Sequence, residues 1–273
     1  MNLRSALSLL CLAACASALV GCGGDTLSFD PVASAATKTS ETQSSRVAFT
    51  ATMNIDGIGG MAFSGAGVFD GHTRSGALNM RFQLPADAQA QLGGADPTMQ
   101  MIMDGRRGLV VYMRSPLFAR AVGNKWIKVD VGKAAKKEGV DLDAIMNSTE
   151  ADPSRTLAML TASTDAHPIG YDRVRGVFTT HYTFNVDLAR LAKQHKELRK
   201  TFDTVRKLTG VSSYPAEAWI DSAGRVRRLK IDMSENTPAG GAFTMSMTED
   251  LYAFGIKVDI RPPDASQVMS LGG

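Results

Sequence analysis

The chain of 273 residues has three cysteines, and all of them, Cys11, Cys15 and Cys22, lie in its first 22 residues. Nothing after them can form an internal disulfide, and the body of the protein holds no thiol for a metal or for nucleophilic catalysis. Histidine is almost as scarce. His72, His167, His181 and His195 fall in a turn, before a proline, on a strand pattern and on a helical pattern, with no H-E-x-x-H spacing among them. No G-x-S-x-G elbow marks a hydrolase, and the carboxylates are scattered along polar faces rather than paired. The sequence therefore predicts a protein that is not an enzyme and has neither metal nor cofactor. Charge of one sign is missing too, with 30 Lys and Arg against 27 Asp and Glu. A mixed surface of that kind excludes a nucleic-acid-binding face, and Arg227-Arg228 with Lys230 is only a short basic cluster.

The first residues carry an address. Arg4 supplies a positive start, and the apolar run Ala6 to Val20 is too short to span a bilayer as a mature helix, which reads as a secretory signal over residues 1–21. It closes on Leu19-Val20-Gly21-Cys22, the pattern of a bacterial lipobox, whereas Leu12-Ala13-Ala14-Cys15 leaves too little apolar chain before it. Cys22 is thus the expected lipidation site, and two or three acyl chains there would anchor the protein stably to the outer face of the cell membrane. Residues 22–45 are rich in Gly, Ser, Thr and Ala and read as a tether with a short weak helix from Ala33 to Ser44. Residues 46–273 form one domain, expected to be a monomer.

That domain reads as strands. Val47, Phe49, Ala51, Met53 and Ile55 alternate with polar residues, a glycine turn follows, and Met61 to Asp70 returns. Leu78, Met80, Phe82 and Leu84 continue the meander, then Met99, Met101 and Met103, Leu109 to Met113, and Lys125 to Val131. Gly57-Ile58-Gly59-Gly60-Met61-Ala62 matches a dinucleotide-loop spacing. It joins two strands rather than a strand and a helix, so it reads as a hairpin. Strand chemistry resumes at Asp172 with Val177 to Val186. Ala216, Ala218 and Ile220 alternate with Glu217, Trp219 and Asp221, the Asp221-Ser222-Ala223-Gly224 segment turns the chain, and Leu229, Ile231 and Met233 return. Phe243, Met245 and Met247 form one more strand, before a terminal segment from Ile256 to Ile260. Helices are few: two short ones around Asp141 to Met146 and Asp152 to Leu160, and a longer one from Asp187 with Leu188, Leu191, His195, Leu198, Phe202, Val205 and Leu208 on its stripe.

About ten antiparallel strands against so few helices leave more apolar sheet face than the helices can cover, and a sheet in that position curls around its own concave side. Of the 14 methionines, 13 follow Met1, several at alternating strand positions. Such unbranched side chains suit either a plain core or a wall that adapts to a flexible apolar guest. By strand parity the inward set is Phe49, Met53, Phe63, Met80, Phe82, Met101, Met103, Met113, Phe178, Tyr182, Phe184, Met245 and Met247.

The lipobox, Asp152-Pro153 with Leu157 and Leu160, Gly176-Val177 leading to Thr180-His181-Tyr182, and Trp219-Ile220-Asp221 with Gly224-Arg225-Val226 together resemble the actinobacterial LppX/LprG-like lipoproteins, relatives in fold of the LolA and LolB carriers. The resemblance implies an α+β, mainly antiparallel half-barrel closed by a few helices over a hydrophobic cavity. It also implies a ligand, the acyl chains of lipids or glycolipids, carried or presented in the cell envelope. A non-catalytic structural or sensory exodomain with a closed core is the alternative.

Overall fold

The alternation becomes one sheet. A computed structural model describes residues 30–57, 59–91, 93–106, 108–131, 160–194, 199, 211–236 and 242–270. Twelve strands are present: β1 (Ser44–Ile55), β2 (Gly59–Asp70), β3 (Ser75–Gln83), β4 (Thr98–Asp104), β5 (Val110–Arg114), β6 (Trp126–Asp130), β7 (Ser163–Val174), β8 (Val177–Asp187), β9 (Ser213–Asp221), β10 (Val226–Asn236), β11 (Ala242–Tyr252) and β12 (Val268–Ser270). They lie side by side in the order β12-β6-β5-β4-β3-β2-β1-β11-β10-β9-β8-β7, so the sheet of twelve described strands, against the expected ten or so, is open with β12 and β7 at its edges rather than curled into a half-barrel. Its pairings are antiparallel except for three residues of β12, which run parallel to β6. The chain closes this arrangement at its centre, where β1 pairs with β2 on one side and with β11 on the other.

Register fixes the faces, because a strand presents alternate residues to opposite sides. Phe49, Ala51 and Met53 stand opposite Gly65, Phe63 and Met61 across one ladder and opposite Glu249, Met247 and Met245 across the other. The same parity runs on through Leu229 and Ile231 to Ala218 and Ala216, and through Met80 and Leu78 to Met99 and Met101. One face is therefore mainly apolar, with Glu249 an exception between Phe49 and Leu229.

Helix α1 (Pro31–Ser40) covers part of it. Asp30 caps the helix, its Oδ1 accepting from the N–H groups of Val32 (2.9 Å) and Ala33 (3.1 Å), and Pro31 occupies the first turn, where no N–H is needed. The small side chains of Ala35 and Ala36 let the helix sit close on β10, β7 and β9, and Val32 is fully buried, a gain of roughly 1.5–3 kcal/mol. Asp30 and this helix thus belong to the folded body although they lie inside the span read as tether, and the helix begins at Pro31, earlier than Ala33. The side chain of Asp30 also accepts a hydrogen bond from Ser163 Oγ, which ties the cap to β7.

Three other short α-helices are described: α2 (Ala86–Gln91) between β3 and β4, α3 (Ala119–Val122) between β5 and β6, and α4 (Leu188–Gln194). Leu188 and Leu191 of α4 join the same buried core as α1. His195, Leu198, Phe202, Val205 and Leu208 of the predicted stripe lie outside the described residues, as do the signal and Cys22, the helix at Asp141 to Met146, and most of Asp152 to Leu160.

Two strand expectations are corrected. Strand β7 starts at Ser163, well before Asp172, because bulges between Thr164 and His167 and between Pro168 and Gly170, with Asp165 at φ 56°, break the period-two pattern. Pro168 is tolerated because β7 is an edge strand. Strand β12 is only three residues long, too short to show any alternation, and the segment Ile256 to Ile260 forms no strand.

Candidate functional site

The apolar face divides into two halves. Over β8, β9 and β10 it is shut: Phe184, Val186, Ala216, Ala218, Leu229 and Ile231 are 0–3% exposed beneath α1 and α4. Over β1 to β5 the same parity carries larger, softer side chains that are only half-buried: Phe49, Met53, Phe63, Met80, Phe82, Met101, Met103 and Met113. Phe63 links this group, with ring centroids 6.2 Å from Phe49 and 6.5 Å from Phe82. Met245 and Met247 of β11, half-buried, continue it towards the core.

The sequence-derived set therefore splits. Twelve of its thirteen members sit on this face within the ladders, and register brings them into neighbouring files. Phe184 belongs to the closed core and Tyr182 packs against it. Phe178 has the right parity but lies at the β8 hairpin end, 63% exposed, with the Arg173 guanidinium 3.6 Å above its ring. Met61 and Met99 share the face and were missed, although Met99 begins the alternation that identified Met101 and Met103.

The opposite face is polar and holds a second feature, an open groove of about 990 Å³. Its floor follows one file of residues across the ladders, Arg228–Asp250–Ala48–Ala66–Asn79–Gln100–Arg114. Thr248, Thr50, Ser64 and Arg81 form the neighbouring file. At one end Asp250 accepts from Arg228 Nε (2.6 Å) and from Arg175 Nε (3.0 Å), so one carboxylate serves two guanidiniums. At the other end Arg114 donates through Nε (3.0 Å) and Nη2 (2.5 Å) to Gln100 Oε1 and lies 4.6 Å from the Trp126 ring centroid. Arg81 reaches Asp96 at 3.1 Å, an exposed pair of small energetic weight.

Beside the groove the polar face is cross-linked by charge. Asp221 accepts from the N–H groups of Ala223 and Arg225 (both 3.0 Å) and from Arg227 Nε (2.7 Å), closing the hairpin between β9 and β10, where Gly224 takes φ 74°. Burial pushes the Asp221 carboxyl up, but the Arg225 N–H, the Arg227 guanidinium and both positive charges together hold it below the ordinary carboxylate range. Lys230 bridges Asp232 and Glu217, each at 3.0 Å, and the hydrogen bonds to those carboxylates raise its pKa. Trp219, one of two tryptophans, is buried on this face with His181 stacked on it at 4.0 Å.

Among the described residues no three His, Cys, Asp or Glu side chains converge as a metal site, and no helix is long and apolar enough to cross a membrane.

No family model matches the chain. It belongs to the family of an uncharacterised 31.2 kDa protein from the rplA-rplJ intergenic region of Streptomyces griseus, to which it is 30% identical over 246 residues, 85% of this chain and 75% of that one. Among solved structures it is similar to the Mycobacterium tuberculosis lipoprotein LppX, at 14% identity and TM-score 0.46 over 85% of this chain and 100% of that one. It is similar to LprF of Mycobacterium bovis, at 15% identity and TM-score 0.47 over 85% and 95%. A LolA superfamily protein from Nitrosomonas europaea matches at 8% identity and TM-score 0.29 over 81% and 93%.

Proposed function

We propose that this member of the Streptomyces griseus protein's family is a lipid-binding lipoprotein that takes the acyl chains of lipids or glycolipids into a cavity on the apolar face of its sheet. It is anchored through acylated Cys22 on the outer side of the cell membrane, acts without catalysis, and carries or presents its lipid in the envelope. The observation behind this reading is the division of that face: Phe184, Val186, Ala216, Ala218, Leu229 and Ile231 of β8 to β10 are 0–3% exposed, whereas the Phe and Met side chains that β1 to β5 place on it are only half-buried. A plain core would be shut along its whole length, because each half-exposed Phe or Met forgoes part of the roughly 1.5–3 kcal/mol that full burial supplies. Methionine is the side chain that best re-packs around a guest of variable shape.

The energetics are adequate. Burial of an acyl chain is favourable by about 0.8 kcal/mol per methylene, so eight methylenes contribute about 6 kcal/mol before the costs of association. The test is a titration with a fluorescent fatty acid or glycolipid, run on the wild-type protein and on Met101→Trp. Met101 stands mid-strand among Met99, Met103 and Met113, so the larger ring should occupy the guest's space and abolish uptake while the protein still folds. Equal, negligible binding by both proteins would replace this reading with a closed structural or sensory module.

A further inference from the structure

The groove on the polar face is a separate feature from the apolar wall, and its lining is electrostatically one-sided: Arg81, Arg114, Arg175 and Arg228 against Asp250. The two ends differ. Asp250 neutralises part of the Arg175–Arg228 end, whereas Arg114 has no carboxylate partner among the described residues. Gln100 takes the Nε–Nη2 edge of its guanidinium and the indole of Trp126, on the neighbouring strand β6, supports its flat side. An arginine present only to keep a sheet face wet would keep its rotamer freedom. This one is held at two points with its Nη1 edge uncommitted among the described residues, which is the arrangement that suits bidentate recognition of an oxyanion. The floor beside it, built of Ala, Thr and Ser, leaves room, and Asn79 lies in the same file two strands away.

We propose that this polar-face groove is a binding site for a phosphate-bearing ligand, with the Arg114 guanidinium, braced by Gln100 and Trp126, as the group that engages the phosphate. A phosphate offers three acceptor oxygens to the guanidinium, amide and hydroxyl donors around it, and one-sided charge in a concave site raises its local concentration. The phosphate can come from a lipid headgroup or from a soluble phosphate ester. The proposal does not depend on acyl chains being bound on the other face.

The experiment is a titration of the full chain with three probes: glycerol 1-phosphate, dihexanoyl phosphatidylglycerol and, as the phosphate-free control, dihexanoylglycerol. Binding is read by calorimetry and by tryptophan fluorescence, to which Trp126 beneath Arg114 contributes. Saturable binding of at least one phosphate probe is expected, with a loss of at least about tenfold in Arg114→Gln, the order expected for losing charge-assisted hydrogen bonds. Arg173→Gln, outside the groove, should bind as the wild type does. Ala66→Glu, which puts a negative charge on the exposed floor without touching Arg114, should also abolish binding, so the idea stays testable if Arg114→Gln misfolds. Binding of glycerol 1-phosphate identifies the phosphate itself as the ligand group, and binding of the phospholipid alone, lost in Arg114→Gln, identifies a lipid headgroup. No binding of either phosphate probe by folded wild-type protein, or binding unchanged in folded Arg114→Gln, overturns the proposal. Dihexanoylglycerol, whose binding should not respond to Arg114, tests the acyl-chain reading separately.

Discussion

Phe49 and Gly65 stand opposite one another across β1 and β2, and the Phe49 ring fills the space that a side chain at residue 65 would need. A Cβ there would lie 2.5 Å from Phe49 Cζ and 3.0 Å from the backbone oxygen of Asn79. The ring can swing away but the carbonyl cannot, so Gly65→Ala should destabilise the protein by roughly 1–3 kcal/mol, as overpacking does. Thermal unfolding checks this. Combining it with Phe49→Leu should recover part of the loss, since the two residues share one space.

Helix α1 is held to the sheet by a buried polar contact near its C-terminal end as well as by packing: Val226 N–H donates to Thr39 Oγ1 at 2.8 Å. Thr39→Val keeps the volume and leaves that N–H without its acceptor. A loss of about 1–3 kcal/mol is expected in denaturant unfolding, with the shape of the transition unchanged.

The Asp221 carboxyl is held below its ordinary value in the folded chain. The folded state therefore binds this proton less readily than the unfolded state does, and the stabilisation is complete above the unfolded value near about pH 4. It is lost as the pH falls from there through the lower folded value. Midpoints of thermal unfolding should hold steady from pH 7 to pH 5 as far as this group is concerned, then decline. At neutral pH, Asp221→Ala should cost roughly 3 kcal/mol, because the side chain is 3% exposed and Arg225 and Arg227 lose their shared partner. The decline below pH 4 should be shallower in that variant.

Much of this architecture is legible in the residues, and the failures have physical causes. Alternation is unbroken in β1 to β5, in β9 and in β10 from Arg228 onward, past a bulge between Val226 and Arg228, so parity alone put Phe49, Phe63, Phe82 and Met101 on one face and Trp219 and Glu217 on the other. In β7 two bulges and a proline scramble the parity, and only Asp172 onward reads as strand. The N-terminal helix looked weak because Ala, Thr and Ser have no bulk. Its stability comes from the Asp30 cap and from close approach to β9 and β10, which is tertiary information. Phe178 shows the limit of parity: alternation gives the side of a strand but not where its neighbours stop, and this ring lies past the last paired residue of β9. The polar-face groove was illegible for the same reason. Arg228, Ala48, Asn79 and Arg114 are far apart in sequence, and only the register files them together.

The lipidation reading has its own consequence. Cys22 is the sole cysteine after Cys15, so Cys22→Ala removes the only thiol at the lipobox. The variant should leave the membrane fraction or accumulate unprocessed in cell fractionation. A protein of mature size that stays membrane-bound would contradict anchoring at this residue.

Native mass spectrometry of the purified protein, followed by organic extraction, addresses the central claim most directly. The expected result is a population heavier than the polypeptide by the mass of a non-covalent lipid, released on activation and recovered in the extract, and missing from Met101→Trp. A wild-type protein that is folded, carries no extractable lipid and takes none up when it is offered would contradict the account.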